Sequence, residues 1–462
     1  MSGLEASEVA LSEVVKSSSY LRIEAEYFIA DTKVRGYLGR NIALSCDYGT
    51  SDSLNEDQQG YPVLRLNELI NMFVQKPTKY CDTLTKIEYE ILHLKKGDVI
   101  VCRTNGNPDL VGKCAVVMED MPYAFASYCF RVRTNSLILP TVLAAFLSCK
   151  YGRMEIDKHA MKGNQTNFSP AKFKDINIPK LNYELQERIE HMFVTAYGLL
   201  NKANAAYSTA AQFLLSELEL NNFIPSTDPI AIKSFSNSFG ANGRLDAEYY
   251  QPKYEEMLAA INKTKADVLS NLVFVKKSIE PGSSEYTDEG IPFVRVSNIT
   301  KFGITDPEIH LSRVPFANMA LQPKRDTILF TKDGTVGIAY KVENDLDIVT
   351  SGALLHLTVK DIKAILPDYL TLVLNSMVVQ MQAERDTGGS IIIHWRPSDI
   401  GKIVIPILDL PIQNKIAIAV QESFSLRHLS QLLLDTAKRA VEIAIDQGEK
   451  IAIKWLEKES KE

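Results

Sequence analysis

Two copies of one sequence pattern account for most of this chain of 462 residues. Residues 22–28 read RIEAEYF, and 222 positions later residues 244–250 read RLDAEYY. Residues 60–66 (GYPVLRL) and 290–296 (GIPFVRV) match at an offset of 230. An internal repeat of this length predicts two similar domains, and the length of the chain allows two or three domains of ordinary size.

Each copy contains the same series of predicted elements, in the same order. A β-rich run ends in a polar loop that returns as a second strand, a proline then opens an apolar helix, and an edge strand ends in proline. Because strands and helices are mixed within each copy, the sequence predicts the α+β class. The elements are predicted at 97–103 and 325–331, 113–117 and 338–342, 140–149 and 367–376, and 176–179 and 403–406.

Both copies end in a long predicted helix, at 185–220 and at about 410–457. In the first helix, apolar residues recur in steps of four and three until the stripe slips by one position at Glu217. A narrow apolar seam of this kind predicts packing against a partner helix, and an ordinary long core helix is the alternative. Most seam positions of the first helix match apolar residues 227 positions later in the second helix. We therefore predict that the two helices pair with each other. The predicted seam residues are Leu185, Ile189, Met192, Leu199, Phe213, Leu214, Leu218, Ile412, Ile416, Leu426 and Leu433.

A segment rich in Asn, Ser, Pro and Gly separates the first long helix from residue 244, and we interpret it as a linker. The predicted domains are therefore residues 1–182, a first long helix at 183–222, linker and second domain at 223–409, and a second long helix at 410–462.

The motifs of common enzymes and metal sites are missing from the sequence. It contains no G-x-x-x-x-G-K-[ST] phosphate loop, no G-x-S-x-G elbow and no G-x-G-x-x-G motif. Its 6 cysteines form no C-x-x-C pair and are interpreted as buried thiols. We therefore predict no catalytic residue, cofactor or metal. The first residues lack a signal-peptide pattern and no apolar run is long enough to cross a bilayer, which predicts a cytoplasmic protein without a membrane partner.

Positive charge is concentrated in one part of the chain, although the net charge is −6. Residues 91–181 hold 13 Lys and Arg against 7 Asp and Glu, whereas the first 59 residues hold 5 against 10. Polar loops in both copies carry side chains suited to DNA, because Arg can pair with guanine, Asn or Gln with adenine, and Lys, Ser or Thr with phosphates. Ordinary solvated loops contain the same residues. The candidate DNA-binding residues are Arg103, Thr104, Asn105, Lys162, Asn164, Gln165, Asn167, Thr331, Lys332, Ser390, His394 and Arg396.

Taken in order, these motifs resemble the specificity (S) subunit of type I restriction-modification enzymes. The resemblance depends on the KGDVIV strand at 96–101, the late glycine-containing loop, the proline-ended strands, and Gln186 and Gln413 at the heads of the long helices. It implies two target recognition domains that each read half of a split site in double-stranded DNA. It also implies that the long helices pair as an antiparallel coiled coil, and that two modification (methyltransferase) subunits dock on them and bring S-adenosylmethionine. A restriction motor-nuclease subunit then joins the complex, and the chain itself is non-catalytic.

Two other interpretations remain open from the sequence. The chain could be the reader subunit of another phage-defence methylase system, or a coiled-coil scaffold that does not contact DNA. The sequence also departs from the general pattern of the family in its acidic first 59 residues and in the segment 41–60, which has no clear counterpart.

Overall fold

A computed structural model describes residues 8–17, 25–228, 230–316, 321–387 and 393–459. These residues form two compact units. The first unit combines the chain up to Asn201 with the chain from Arg427 onward, and the second runs from Lys202 to Leu426. Each unit thus contains one globule and about half of each long helix. This partition differs from the four-part division predicted from the sequence, because each half of a long helix buries its apolar face within one unit.

The first copy contains short strands and short helices before its long helix. Its strands are β1 (Gly36–Leu38), β2 (Ala43–Tyr48), β3 (Tyr61–Leu64), β4 (Leu69–Ile70), β5 (Phe73–Val74), β6 (Lys79–Cys81), β7 (Val99–Cys102), β8 (Thr104–Asn105), β9 (Cys114–Val116), β10 (Ala124–Phe125), β11 (Cys129–Thr134), β12 (Thr166–Asn167) and β13 (Asn177–Pro179). Its helices are α1 (Leu11–Ser17), α2 (Ala25–Ile29), α3 (Gly39–Ile42), α4 (Lys86–Leu92), α5 (Pro140–Ser148), α6 (Lys150–His159), α7 (Pro170–Phe173) and the long α8 (Tyr183–Glu217).

The second copy repeats this order of elements. Its helices are α9 (Phe239–Asn242), α10 (Pro252–Ile261), α11 (Leu269–Leu272), α12 (Arg313–Phe316), α13 (Pro367–Leu374), α14 (Met377–Asp386), α15 (Pro397–Ile400) and the long α16 (Leu410–Gln447). Its strands are β14 (Ala266–Val268), β15 (Val273–Lys277), β16 (Tyr286–Thr287), β17 (Ile291–Val294), β18 (Ile299–Thr300), β19 (Gly303–Ile304), β20 (His310–Leu311), β21 (Ile328–Thr331), β22 (Ala339–Lys341), β23 (Val349–Thr350), β24 (Leu354–Val359) and β25 (Val404–Pro406).

The sheets of the two copies have the same topology. The strand order β2-β11-β7-β9 in the first copy corresponds to β15-β24-β21-β22 in the second, and β6-β3-β10 corresponds to β20-β17-β23. In both copies the proline-ended strand forms its own two-stranded sheet, β1 with β13 and β14 with β25. The predicted strands and proline-opened helices are confirmed. Residues 41–60 contain β2, which has the position of β15 in the strand order of the second copy although the two strands share little sequence.

The two long helices contact each other within each unit. In the first unit, the buried Ser430 of α16 donates its Oγ hydrogen to the carbonyl oxygen of Ala196 in α8, at 2.8 Å. In the second unit, the buried Ser423 donates in the same way to Ala203, at 2.7 Å. Small side chains at both positions let the helix backbones approach closely enough for these bonds.

The buried stripe of α8 differs in part from the predicted seam. Leu185, Ile189, Leu214 and Leu218 are buried, whereas Met192, Leu199 and Phe213 are half-buried. The stripe runs instead through Phe193, Leu200 and Tyr207. On α16, Ile416 is buried, and Ile412, Leu426 and Leu433 are half-buried beside the buried Val420 and Leu434. Each helix packs on a globule as well as on its partner, so its apolar face is wider than a two-helix seam.

A buried glutamine attaches each long helix to the globule that precedes it. Gln186 accepts a hydrogen bond from the backbone N–H of Leu139 and donates to the carbonyl oxygens of Leu137 and Leu181. Gln413 makes the same set of bonds, to Leu366, Ala364 and Leu408. Both amides therefore fix the loop that leads into a proline-opened helix, which gives a physical reason for their repetition in the sequence.

The second long helix is shorter than predicted. It ends at Gln447, because Gly448 has a φ of +93° and cannot continue a right-handed helix. A separate helix, α17 (Glu449–Glu459), follows and buries Ala452 and Leu456 in the core of the first unit.

Candidate nucleic-acid interface

In the first copy, the structure brings together the two polar loops that the sequence singled out. Strand β7 is the central strand of its sheet, and the chain continues from it through Arg103 into β8. Strand β8 pairs with β12 in the late loop, with Thr166 opposite Asn105 and Asn167 opposite Thr104. The two candidate groups, 103–105 and 162–167, therefore lie on adjacent strands.

Arg103 is held from several directions. Its backbone N–H donates to the carbonyl oxygen of Tyr128 at 2.7 Å, and its own carbonyl accepts from the backbone of the buried Phe168 at 2.7 Å. The side-chain Nε donates to the carbonyl oxygen of Ser127, also at 2.7 Å. The guanidinium carbon lies 5.5 Å from the centre of the Tyr48 ring, within the range of a cation–π interaction. The arginine is thus held in a defined position at the end of the strand.

The other candidates of the first copy differ in accessibility. Lys162, Asn164 and Gln165 are exposed at the tip of the late loop, and Asn167 is half-buried. Thr104 is buried, and its hydroxyl donates to the carbonyl oxygen of Thr166 at 3.1 Å, so its side chain has a structural role. Asn105 is half-buried and accepts a hydrogen bond from the backbone of Asn107 through Oδ1, which leaves its side-chain NH₂ group available for a ligand.

Two exposed tyrosines beside Arg103 were missed by the sequence reasoning. Tyr48 ends β2 and is 51% exposed, and Tyr128 precedes β11 and is 60% exposed. Aromatic side chains at such exposure can stack on nucleic-acid bases or cover a partner surface. A tyrosine in a strand is ordinarily predicted to be part of the core, and only the three-dimensional position shows that these two face solvent.

The second copy builds the corresponding site from different side chains. Lys332 takes the place of Arg103, because its backbone N–H donates to the carbonyl oxygen of Ala353 and its carbonyl accepts from the buried Trp395. Its ammonium group forms an ion pair with Asp333. Asp333 also accepts from Nδ1 of His394 at 2.8 Å, and the backbones of Asp333 and His394 form a β-bridge. The loop candidates Lys332 and His394 thus share one carboxylate.

Three further candidates complete the second site. The Thr331 side chain is fully buried and its hydroxyl accepts from the backbone of Ile338, so it faces the interior. Arg396 is exposed. Ser390 lies outside the described residues.

A cleft of about 720 Å³ lies beside Arg396 and His394 in the second unit. The repeated motif at 244–250 forms part of its wall, with the Arg244 guanidinium 4.3 Å from the centre of the Tyr249 ring. Asp246 accepts from Nε of Arg244 at 2.9 Å. The wall therefore combines positive, negative and aromatic groups. Residues 22–24, the start of the matching motif in the first copy, lie outside the described residues.

Nothing in the described part of the chain is arranged for metal or thiol chemistry. No group of three or more His, Cys, Asp or Glu side chains there could hold a metal ion. All six cysteines are unpaired, and five are buried while Cys46 is half-buried. Burial raises the pKa of Cys46, Cys102 and Cys114 to about 11, so these thiols are protonated at neutral pH. None of the described helices is long and apolar enough to cross a membrane.

The fold and its sites define a protein with two copies of one α+β domain, each with a polar loop site at the end of its central strand. Comparison with known proteins then shows what the chain is similar to. The chain is 26% identical over 176 residues to the type I restriction enzyme StySPI specificity subunit of Salmonella potsdam, a match that covers 36% of each chain. It is 26% identical over 117 residues to the EcoKI specificity subunit of Escherichia coli strain K12, over 25% of each chain. The matched segments thus span about a third and a quarter of these relatives. The resemblance to type I specificity subunits is confirmed.

Solved structures of the same kind were also found. The S subunit of a type I restriction-modification system from M. genitalium is 13% identical, with a TM-score of 0.34 over 87% of this chain and 94% of that chain. The HsdS subunit of Thermoanaerobacter tengcongensis is 14% identical, with a TM-score of 0.27 over 88% and 96%. No protein-family model matches the chain. The similarity to type I specificity subunits therefore depends on the two curated relatives.

Proposed function

We propose that this chain is the DNA sequence-specificity subunit of a type I restriction-modification complex, in which each copy reads one half of a split DNA site. The observation that carries the proposal is the repeated loop site. The same backbone bonds fix Arg103 in the first copy and Lys332 in the second, yet the side chains around them differ. A fixed backbone with variable side chains suits a protein that must present two different reading surfaces.

A repeated domain also suits the form of the ligand. Two similar readers on one chain can contact two half-sites, just as dimeric DNA-binding proteins use two copies of one motif. The similarity to the StySPI and EcoKI specificity subunits supports the same interpretation.

In this proposal the long helices form an antiparallel coiled coil that acts as a spacer and a docking surface. Within the first unit, the bonds Ser430–Ala196 and Asn182–Glu449 support antiparallel pairing, because the residue number falls along one segment as it rises along the other. A helix of 35 residues, the length of α8, is about 52 Å long, which exceeds one turn of duplex DNA. Two modification subunits would dock on this pair, and a restriction subunit would join through them.

The chain itself would carry out no chemistry. The modification subunits would supply S-adenosylmethionine and transfer the methyl group to adenine, and this chain would determine where they act. This division of labour follows from the family resemblance, and the cytoplasmic location likewise stays a prediction.

The decisive experiment is to express the full chain with the modification subunit of its own system and to sequence N6-methyladenine in the host DNA. We expect methylation at one split motif, and no methylation when either protein is expressed alone. Replacing Lys162, Asn164 and Gln165 by Ala should alter or abolish recognition of one half-site only. The matched control replaces the exposed Gln212, Asn221 and Asn222, which lie away from both loop sites in the sequence, and should leave the motif unchanged.

Two results would contradict the proposal. Methylation by the purified chain alone with S-adenosylmethionine would identify it as an enzyme. A complex that assembles but shows no salt-dependent DNA binding would identify the chain as a coiled-coil scaffold.

A further inference from the structure

The Arg103 side chain is the most completely positioned cation among the candidate DNA-binding residues. One of its three guanidinium nitrogens, Nε, is used by the Ser127 carbonyl oxygen, and the Tyr48 ring lies beside the guanidinium plane. Among the described residues, none accepts a hydrogen bond from Nη1 or Nη2. The two terminal NH₂ groups are therefore the part of this arginine that remains for a ligand.

The backbone beneath this side chain is fixed as well. The hydrogen bonds to Tyr128 and from Phe168 hold both polar backbone groups of Arg103, and Phe168 is fully buried. A ligand that binds to the guanidinium therefore meets a donor pair that has already lost most of its conformational freedom, which lowers the entropic cost of binding.

The geometry of the free donors favours a planar ligand with two acceptors. Two parallel N–H groups in one plane match the N7 and O6 atoms of guanine in the major groove, and this is the most frequent base-specific contact of arginine. A backbone phosphate can also accept two parallel hydrogen bonds from an arginine, although a lysine binds phosphate as well, as a point charge. An arginine that is held at Nε and lies 5.5 Å from the centre of an aromatic ring has the direction of its two donors set before the ligand binds, as a contact that distinguishes bases requires.

The second copy supplies an internal contrast at the same position. Lys332 has no fork of donors, only 9% of the residue is exposed, and its ammonium group is paired with Asp333. Ala353 replaces Tyr128, and the exposed Lys277 occupies the place of Tyr48 at the end of the edge strand. The arginine, its ring and the second exposed tyrosine are thus all features of the first copy.

We propose that Arg103 reads a guanine in the half-site of the first copy, with Nη1 and Nη2 donating to N7 and O6 and with Tyr48 and the Ser127 carbonyl as positioning groups. This inference rests on the proposed function. It adds a base identity and a residue that determines it.

The test uses the complete complex of the chain with its modification subunits. Wild-type complex is measured against duplexes in which each guanine of the recognised motif is replaced in turn by 7-deazaguanine, which lacks the N7 acceptor. We expect one guanine, in one half-site, whose replacement weakens binding by about 10-fold or more. This measurement needs no variant protein and is therefore independent of folding.

Two substitutions then assign that guanine to Arg103. Arg103→Lys keeps the charge but removes the fork, and should lower discrimination at that one position by about 10-fold to 100-fold while the other half-site stays intact. Tyr48→Leu should weaken the same position, and Tyr48→Phe should restore it because the ring is retained. Lys162→Gln is the matched control. If this exposed lysine contacts a phosphate, its loss should weaken binding to all sequences alike and reduce the slope of log K against log salt concentration by about one.

The outcomes are distinguishable from failure of the proposed function. A motif in which no guanine responds to 7-deazaguanine, or an Arg103→Lys variant with unchanged discrimination, would overturn the inference while specific DNA binding persists. A uniform loss of affinity in Arg103→Lys would assign the arginine to a phosphate and would also overturn it. If the wild-type complex binds no DNA specifically, the proposed function itself is wrong.

Discussion

The two copies have the same strand order, but the buried polar residues at the centres of their sheets differ. In the first copy, Arg131 of β11 lies opposite Ile100 of β7 and Asp47 of β2, and it is only 2% exposed. Asp47 accepts from its Nη2 at 2.8 Å, and Asp98 lies 3.6 Å from its Nη1. Its Nε also donates to Asp47, and Nη1 and Nη2 donate to the backbone carbonyl oxygens of His93 and Ile91. A buried cation is thus surrounded by acceptors that compensate its desolvation.

In the second copy the corresponding residue is His356, which lies opposite Leu329 of β21 and Lys276 of β15. Burial lowers the pKa of His356 to about 4, and the nearby charge of Lys276 contributes in the same direction. The ring is therefore neutral at pH 7 and bonds through Nε2 to the Thr350 hydroxyl at 2.8 Å. Where the first copy has Asp98, the second has Thr327.

The residues around these two buried positions differ as a set. Arginine with two carboxylates in one copy corresponds to neutral histidine with lysine and threonine in the other, and either set alone satisfies its buried groups. A mixture would leave a charge without a partner. The fold thus tolerates divergence inside its sheets as well as at its loop tips, provided that each change is compensated locally.

Replacing Arg131 and His356 should give the largest difference in stability between the two copies. We expect Arg131→Met to destabilise the first unit by about 3–5 kcal/mol, because Asp98 and Asp47 lose a buried partner. His356→Met should cost about 1–2 kcal/mol, because only one hydrogen bond is lost. Urea unfolding combined with hydrogen exchange resolved by unit would measure both. Arg35→Met, at a surface ion pair, is the control and should change stability by less than about 0.5 kcal/mol. Equal losses at the two central sites would contradict this account.

Replacing the buried Gln186 or Gln413 should cost the same in both copies, in contrast to replacing Arg131 or His356. Gln186→Leu and Gln413→Leu each remove three hydrogen bonds from a buried amide and leave backbone groups without partners, so we expect a loss of about 2–4 kcal/mol in the unit concerned. Protection from hydrogen exchange should fall first at the loop before α5 or α13. Gln212→Leu on the exposed side of α8 is the control. A large loss at one clamp and none at the other would show that the repeat is not energetically equivalent here.

Lowering the pH should destabilise the second unit more than the first, because of His356. Its pKa is lower in the folded chain, about 4, than its ordinary value of 6.5, so between these values the unfolded chain binds the extra proton. The free energy of unfolding should therefore be about 2 kcal/mol lower at pH 5 than above about pH 6.5. The fall is complete below about pH 4. The second unit should therefore lose exchange protection between pH 7 and 5, and His356→Leu should remove that part of the pH dependence. The same pH profile in wild type and variant would exclude this histidine as the cause.

The comparison also shows how far the sequence can predict such a chain. The repeat, the α+β class and the proline-opened helices follow from local patterns, and the structure contains them. The exact seam does not follow, because adjacent apolar pairs such as Met192 with Phe193 and Leu199 with Leu200 allow two stripes. Packing on the globule selects the second member of each pair, and no spacing rule contains that information.

The candidate sites show a similar limit. Residue type identified Arg103 and Lys332 together, but it could not show that one has a free pair of donors while the other is paired with Asp333. It also placed Thr104 and Thr331 among the binding residues, although both side chains are buried. The exposed Tyr48 was missed because its strand has no recognisable counterpart in the sequence of β15. Such properties depend on neighbours that are distant in the chain.

The smallest expected effect would make the second site more like the first. Asp333→Asn removes the carboxylate that pairs with Lys332 and His394, so this loop repels a DNA phosphate less. We expect the salt dependence of DNA binding by the complex to become steeper by about one unit in its logarithmic slope, with little change in the recognised motif. Asp288→Asn is the matched control, since it makes the same charge change at an exposed loop position. An equal change in both variants would mean that the effect is one of net charge alone. The difference between the Arg103 and Lys332 sites would then not depend on this carboxylate.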